Sequence, residues 1–139
     1  MKPWILLVLT RTDWHGVSRM PRMLARAGFE VAVLAPKGSL TEQSQYVSRI
    51  AHVPSNATPL AWLESAARCV DQLGPRMIVP GDEMALRLLF RQVLDPPRAM
   101  QPAQRAQLEQ LIVASLGPSK HYTVSIDKTL LPAAAEAIR

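Results

Sequence analysis

The feature that narrows this chain most is the alternation of short apolar runs with segments of helical period. Trp4-Ile5-Leu6-Leu7-Val8-Leu9 carries no polar residue at any position. A strand written this way is covered on both faces, as a strand inside a parallel sheet is. Val17, Met20, Leu24 and Ala27 then recur at helical spacing, and Gly28 supplies a helix stop. Phe29-Glu30-Val31-Ala32-Val33-Leu34 follows as a second strand, closed by Pro36 and Gly38. Strand, helix and strand within about thirty residues make a βαβ unit. Pro21 falls inside the helical pattern, either in the first turn of a helix that starts after Val17 or at a kink in one that starts before it.

The pattern continues. The polar stretch 37–48 has room for a short helix from Thr41 to Val47, and Ile50–Val53 reads as a brief strand. Thr58-Pro59 is an N-cap followed by proline at the first helical position, and Leu60, Leu63, Ala67, Val70 and Leu73 form the stripe behind it. Gly74-Pro75 stops that helix, and Met77-Ile78-Val79-Pro80 is the next buried strand. Asp82 caps a helix through about Leu94, with Ala85, Leu88, Leu89 and Val93 facing inward. Asp95-Pro96-Pro97 breaks the chain before a helix from Pro102 to Leu116, whose stripe is Leu108, Leu111, Ile112 and Ser115. Gly117-Pro118 ends it, and Ser125 or Asp127 caps a last helix that Pro132 kinks or delays. The predicted fold is α/β with a mainly parallel sheet, right-handed crossovers and added C-terminal helices. Residues 1–117 make the domain, and 118–139 a linker and first helix beyond it.

Composition removes several function classes. In 139 residues, 48% apolar and 19% charged is enough for a buried core. The run Trp4–Leu9 is too short to span a bilayer, and Thr10-Arg11-Thr12-Asp13 follows it where a signal peptide would have a cleavage site. A cytoplasmic protein with no membrane partner is expected. One cysteine, Cys69, excludes an internal disulfide and a cysteine-rich metal site. The net charge of +5 is carried mostly by arginines, but only Arg11, Arg19, Arg22 and Arg26 lie close together. Aromatics at 5% are too few for a base-stacking platform, so no nucleic-acid partner is expected.

Ligands of an open parallel sheet bind beyond the carboxyl ends of its strands. That rule selects Thr10–Arg19, Ala35–Gly38 and Pro80–Glu83. Within the first, Thr12, His15, Gly16, Ser18 and Arg19 are substrate-binding candidates, offering hydroxyls, a glycine and the free amides of a helix N-terminus. The alternative is a plain strand-to-helix turn. Neither G-x-G-x-x-G nor G-x-x-x-x-G-K-[ST] occurs. Asp82 and Glu83 either cap a helix and offset its dipole, or Glu83 reaches a polar ligand. His15, His52 and His121 share no metal-ligand spacing, so no metal residue is assigned. Cys69 reads as an inert buried thiol, and Ser18 lacks the G-x-S-x-G context of a nucleophile; no catalytic residue is assigned. Arg19, Arg22 and Arg26 recur at helical spacing without an acid among them, as a solvated face or as a stripe facing phosphate or another subunit.

The opening βαβ unit, the turn Val79-Pro80-Gly81-Asp82-Glu83 and the ending Pro118-Ser119-Lys120-His121-Tyr122-Thr123-Val124-Ser125-Ile126-Asp127-Lys128-Thr129-Leu130-Leu131-Pro132 together resemble the N-terminal region of ATP-grasp carboxylate–amine ligases. That group includes carbamoyl phosphate synthetase, whose large subunit the pattern suits, biotin carboxylase and D-alanine–D-alanine ligase. The resemblance implies a Rossmann-like pre-ATP-grasp domain. Lys128 matches the lysine that approaches ATP phosphates in several relatives. The parent enzyme would use ATP and Mg2+ to activate a carboxylate as an acyl phosphate and pass it to an amine. The loop after the first strand and the Pro80–Glu83 turn would face that small-molecule substrate. The family's phosphate lid and metal-binding carboxylates have no counterpart here. The expectation is therefore a truncated domain, inactive alone and without cofactor, whose partners are the C-terminal ATP-grasp domains or a second copy in a homodimer. Two other readings stand beside it: the N-terminal half of a two-domain glycosyltransferase, and a flavodoxin-like interaction domain without enzymatic activity.

Overall fold

A computed structural model describes residues 1–138, apart from the side chains of Lys128 and Leu131. β1 (Trp4–Val8) pairs in parallel with β2 (Glu30–Pro36) on one side and β4 (Met77–Pro80) on the other, and β3 (Arg49–Val53) pairs in parallel with β2. The order β3-β2-β1-β4 puts the two most apolar strands at the centre. The edges go to β3, with its exposed Arg49 and His52, and to β4, which ends in a proline that could not serve both sides of a ladder.

Alternate residues of the central strands face opposite layers. Leu6, Val8, Ala32 and Leu34 pack with α2 (Pro59–Leu73), α3 (Glu83–Leu94) and α4 (Pro102–Leu116). Leu7, Leu9, Val31, Val33 and Ala35 pack under α1 (Met20–Arg26). This is the predicted α/β fold, a Rossmann-like three-layer arrangement with an all-parallel sheet. α4 also guards the open edge: the Ser115 hydroxyl accepts from the Ile78 amide of β4 at 2.9 Å and donates to Leu111 O at 2.7 Å.

Of the two readings of Pro21, the structure takes the first: Val17–Arg19 is a 3-10 turn and the α-helix is Met20–Arg26, with Pro21 in its first turn, where its missing amide costs nothing. Two local expectations are corrected. The helix expected from Thr41 to Val47 shrinks to a 3-10 turn at Leu40–Gln43. There the hydroxyls of Ser39 and Ser44 take the amides of Thr41 and Tyr46, offering the backbone an alternative to helix. The last helix does not begin at Ser125 or Asp127. α5 (Tyr122–Ile126) stops where the Asp127 carboxylate accepts from Thr129 N at 3.0 Å and Thr129 Oγ1 at 2.6 Å, bonds that hold Asp127 in extended backbone. A 3-10 turn at Lys128–Leu130 then leads to α6 (Leu131–Ala137), where Pro132 lies in the first turn and breaks nothing.

Tyr122, in the segment read as a linker, belongs to the main core. Its ring stacks on Phe90 with centroids 4.0 Å apart, and its hydroxyl donates to Gly117 O at 2.7 Å. Burial pushes the phenol's pKa up. No described helix is long and apolar enough to cross a membrane.

Candidate functional site

The chain leaves β1 towards β2 on one side and reaches β4 on the other, so the strand order reverses between β1 and β4. A gap opens beyond the carboxyl ends at such a point, because the two connections diverge. Asp82 holds the gap's floor. The Gly81 amide first extends the ladder by donating to Val8 O at 2.8 Å. A Cβ on Gly81 would stand 1.9 Å from Leu9 Cδ2 and 2.8 Å from Val17 Cγ2, so glycine is required here by close packing rather than by dihedral freedom. Asp82 Oδ1 then accepts from Ala85 N at 2.8 Å, capping α3, and from Thr10 Oγ1 at 2.7 Å. Its Oδ2 accepts from Thr10 N at 2.7 Å and Arg11 N at 3.1 Å. With four donors on a buried carboxylate, Asp82 ties the ends of β1 and β4 together and has little left for a ligand.

Above this tie lies a cleft of about 720 Å³. Arg11 and Trp14 bound it from the β1 loop, Ser55 from the loop after β3, and Trp62 from α2. Glu83 and Arg87 form the α3 wall. Trp62 is buried, whereas Trp14 is 46% exposed. Arg87 donates from Nε at 3.1 Å and Nη2 at 2.7 Å, both to Glu83 Oε1. Glu83 Oε2 has no partner among the described residues. Arg11 Nε approaches Asp13 Oδ1 at 3.4 Å, leaving its two terminal nitrogens turned to no described acceptor. The cleft thus offers one free carboxylate oxygen, one free guanidinium edge and two indole surfaces.

Of the residues singled out in the sequence, Asp82 and Glu83 line this cleft, the first as its tie and the second as its open polar group. Thr12, His15 and Gly16 do not. Thr12 O accepts from Leu40 N, His15 O accepts from the Ser18 amide and, at 2.6 Å, the Ser18 hydroxyl, and Gly16 begins the 3-10 turn. These contacts build the loop; the anion-binding helix N-terminus expected there is replaced by that turn. Ser18 and Arg19 line a different groove, of about 630 Å³, with Arg22, Met23, Arg26, Ser44 and Tyr46. The Lys128 side chain lies outside the described residues. Trp62 and Arg87 were not picked out from the sequence, and Arg11 and Trp14 only as part of the segment Thr10–Arg19. The Glu83–Arg87 spacing of four was the available signal; Trp62 lies on the buried face of α2 with Ala66 and Cys69, so its period reads as core rather than as site.

Two further ionisable features lie elsewhere. Burial works to raise the Glu42 carboxyl, but hydrogen bonds from His52 at 2.8 Å and the Gly38 amide at 2.9 Å, with the charges of His52 and Lys37, bring it below the usual range. Burial pushes the Cys69 thiol up against the opposing charges of Arg68 and Arg49, which keeps it protonated and unreactive. Among the described residues no three His, Cys, Asp or Glu side chains converge as a metal site. No family model, curated protein or solved structure matches the chain.

Proposed function

We propose that this chain is the substrate-side, Rossmann-like domain of an ATP-dependent carboxylate–amine ligase of the ATP-grasp kind, working in the cytoplasm. The observation that carries the reading is the cleft at the β1/β4 reversal. Its Glu83 Oε2 suits an ammonium and its Arg11 edge suits a carboxylate, the two groups such a ligase joins. Trp14 and Trp62 supply apolar surface for the rest of the substrate. The Asp127-Lys128 turn at the carboxyl side of the domain adds the family's short motif.

The cleft does not fit a Mg2+ site, since no group of three His, Cys, Asp or Glu side chains converges among the described residues and Asp82 is consumed by its four donors. In this reading, phosphorylation of the carboxylate belongs to ATP-binding lobes outside this domain. The domain's own work is to bind and orient the substrate and to hold water off it with the two indoles. A buried Cys69 fits a reducing compartment.

The reading frame beyond Arg139 tests the proposal at once: ATP-binding lobes encoded there support it, and an immediate stop codon overturns it. In the full-length protein, ADP release should require both a carboxylate and an amine. Glu83→Gln should raise KM for the amine by about tenfold or more while leaving KM for ATP alone. An equal effect on both constants would remove Glu83 from the substrate site.

A further inference from the structure

We propose a second ligand site on the α1 side of the sheet: the groove between α1 and the Ser44–Tyr46 turn binds a small molecule carrying two or more phosphate groups. This site shares no residue with the cleft and does not depend on the ligase reading.

The argument starts from an electrostatic conflict. Arg19, Arg22 and Arg26 line one groove, at spacings of three and four on one helix face. Among the described residues, no carboxylate comes within 4.0 Å of any of the three, and none of their guanidinium groups has a protein acceptor. Like charges at these spacings repel. A seven-residue helix has little stability of its own to set against that repulsion. A local rule broken without a local gain marks a place where something outside the fold makes up the difference. Here that is an anion.

Geometry and chemistry narrow it. Seven residues of helix separate Arg19 from Arg26, about 10 Å, so a single carboxylate or phosphate meets at most part of the row. Each guanidinium presents a planar fork of donors matched to phosphate oxygens. The Tyr46 hydroxyl stands in the same groove, and Met23, Tyr46 and the arginine stems border it with apolar surface for an organic body. The basic row is short: the other residues lining the groove, Ser18, Met23, Ser44 and Tyr46, carry no further cation. A short oligophosphate fits this row, and a nucleic-acid strand would leave it after a few phosphates.

The test is calorimetric titration of the chain with inorganic tripolyphosphate at low salt. Binding is expected, weakening as salt rises. Arg22→Gln should weaken it about fivefold or more, and the triple change Arg19→Ala, Arg22→Ala, Arg26→Ala about a hundredfold. Without ligand, the triple variant should melt at or above the parent's temperature, because the repulsion is gone. A control with the same net charge, Arg76→Ala, Arg91→Ala, Arg98→Ala, should keep the affinity. No binding at millimolar tripolyphosphate, an equal loss in the control, or tighter groove-dependent binding of a single-stranded oligonucleotide would each overturn the proposal; the last would make the groove a nucleic-acid interface instead.

Discussion

At the scale of single residues, two buried polar groups behave in opposite ways. Asp82 is buried and fully answered, by Thr10, Arg11 and Ala85. Asp82→Ala leaves the amides of Thr10 and Arg11 and the cap of α3 without their acceptor at once. The expected cost is about 3 kcal/mol, read as a lower urea midpoint at unchanged slope. Asp82→Asn should recover part of it by keeping one acceptor oxygen. Gln92 is as deeply buried, yet neither its Oε1 nor its Nε2 has a partner among the described residues. Gln92→Leu keeps the approximate volume and removes two desolvated groups, so it should stabilise the chain by about 1–2 kcal/mol. A lower melting temperature in that variant would show that the amide is satisfied by water inside the protein.

At the scale of elements, the edges and the connections decide how firmly the layers hold. The β4 edge is closed by the Ser115 hydroxyl of α4, so Ser115→Ala should cost about 1 kcal/mol and speed hydrogen exchange at the Ile78 amide in particular. The loop before β3 is fastened to that strand by the Glu42–His52 pair. Because the folded Glu42 carboxyl is held below its ordinary value of 4.5, its contribution is complete above that pH and lost as pH falls through the lower folded value. The pair is partly exposed, so the contribution is under about 1 kcal/mol. Glu42→Gln should therefore be less stable than the parent near neutral pH, with the gap closing in acid. A gap that persists in acid would assign the effect to packing.

At the scale of the molecule, two hydrophobic clusters lie on opposite faces of one four-stranded sheet and are joined through β1 and β2. Neither can dissolve without exposing the other's strands. Unfolding should therefore be a single transition, with far-UV dichroism and the fluorescence of Trp4 and Trp62 superimposing in urea. The exception is the carboxyl end. Among the described residues, α6 packs mainly on its own preceding turn and α5, and Leu130 and Ile138 stay 37% and 87% exposed. Limited proteolysis should cut between Asp127 and Ile138 and leave a core of unchanged melting temperature.

The alternation of unbroken apolar runs with periodic segments determined the strands, their parallel pairing and the helices α2, α3 and α4. For α2 and α3 the pattern, the cap and the stop agree, Thr58 with Gly74 and Asp82 with Asp95-Pro96, whereas α4 has no side-chain cap and is bounded by Pro102 and Gly117. Where side-chain hydroxyls and carboxylates compete for backbone amides, as at Ser39, Ser44 and Asp127, the linear pattern promised longer helices than form, because one local hydrogen bond outweighs a weak period. The candidate site was legible only in part. The rule of carboxyl strand ends located it, and Asp82 and Glu83 lie on it. Which residues of the first loop turn inward was decided by the Asp82 tie to Thr10 and Arg11, a contact across seventy-two positions that no local pattern encodes. The same distance between sequence and space sent Arg19 to one face and Arg11 to the other: direction at the end of a strand is set by what the next strand offers it.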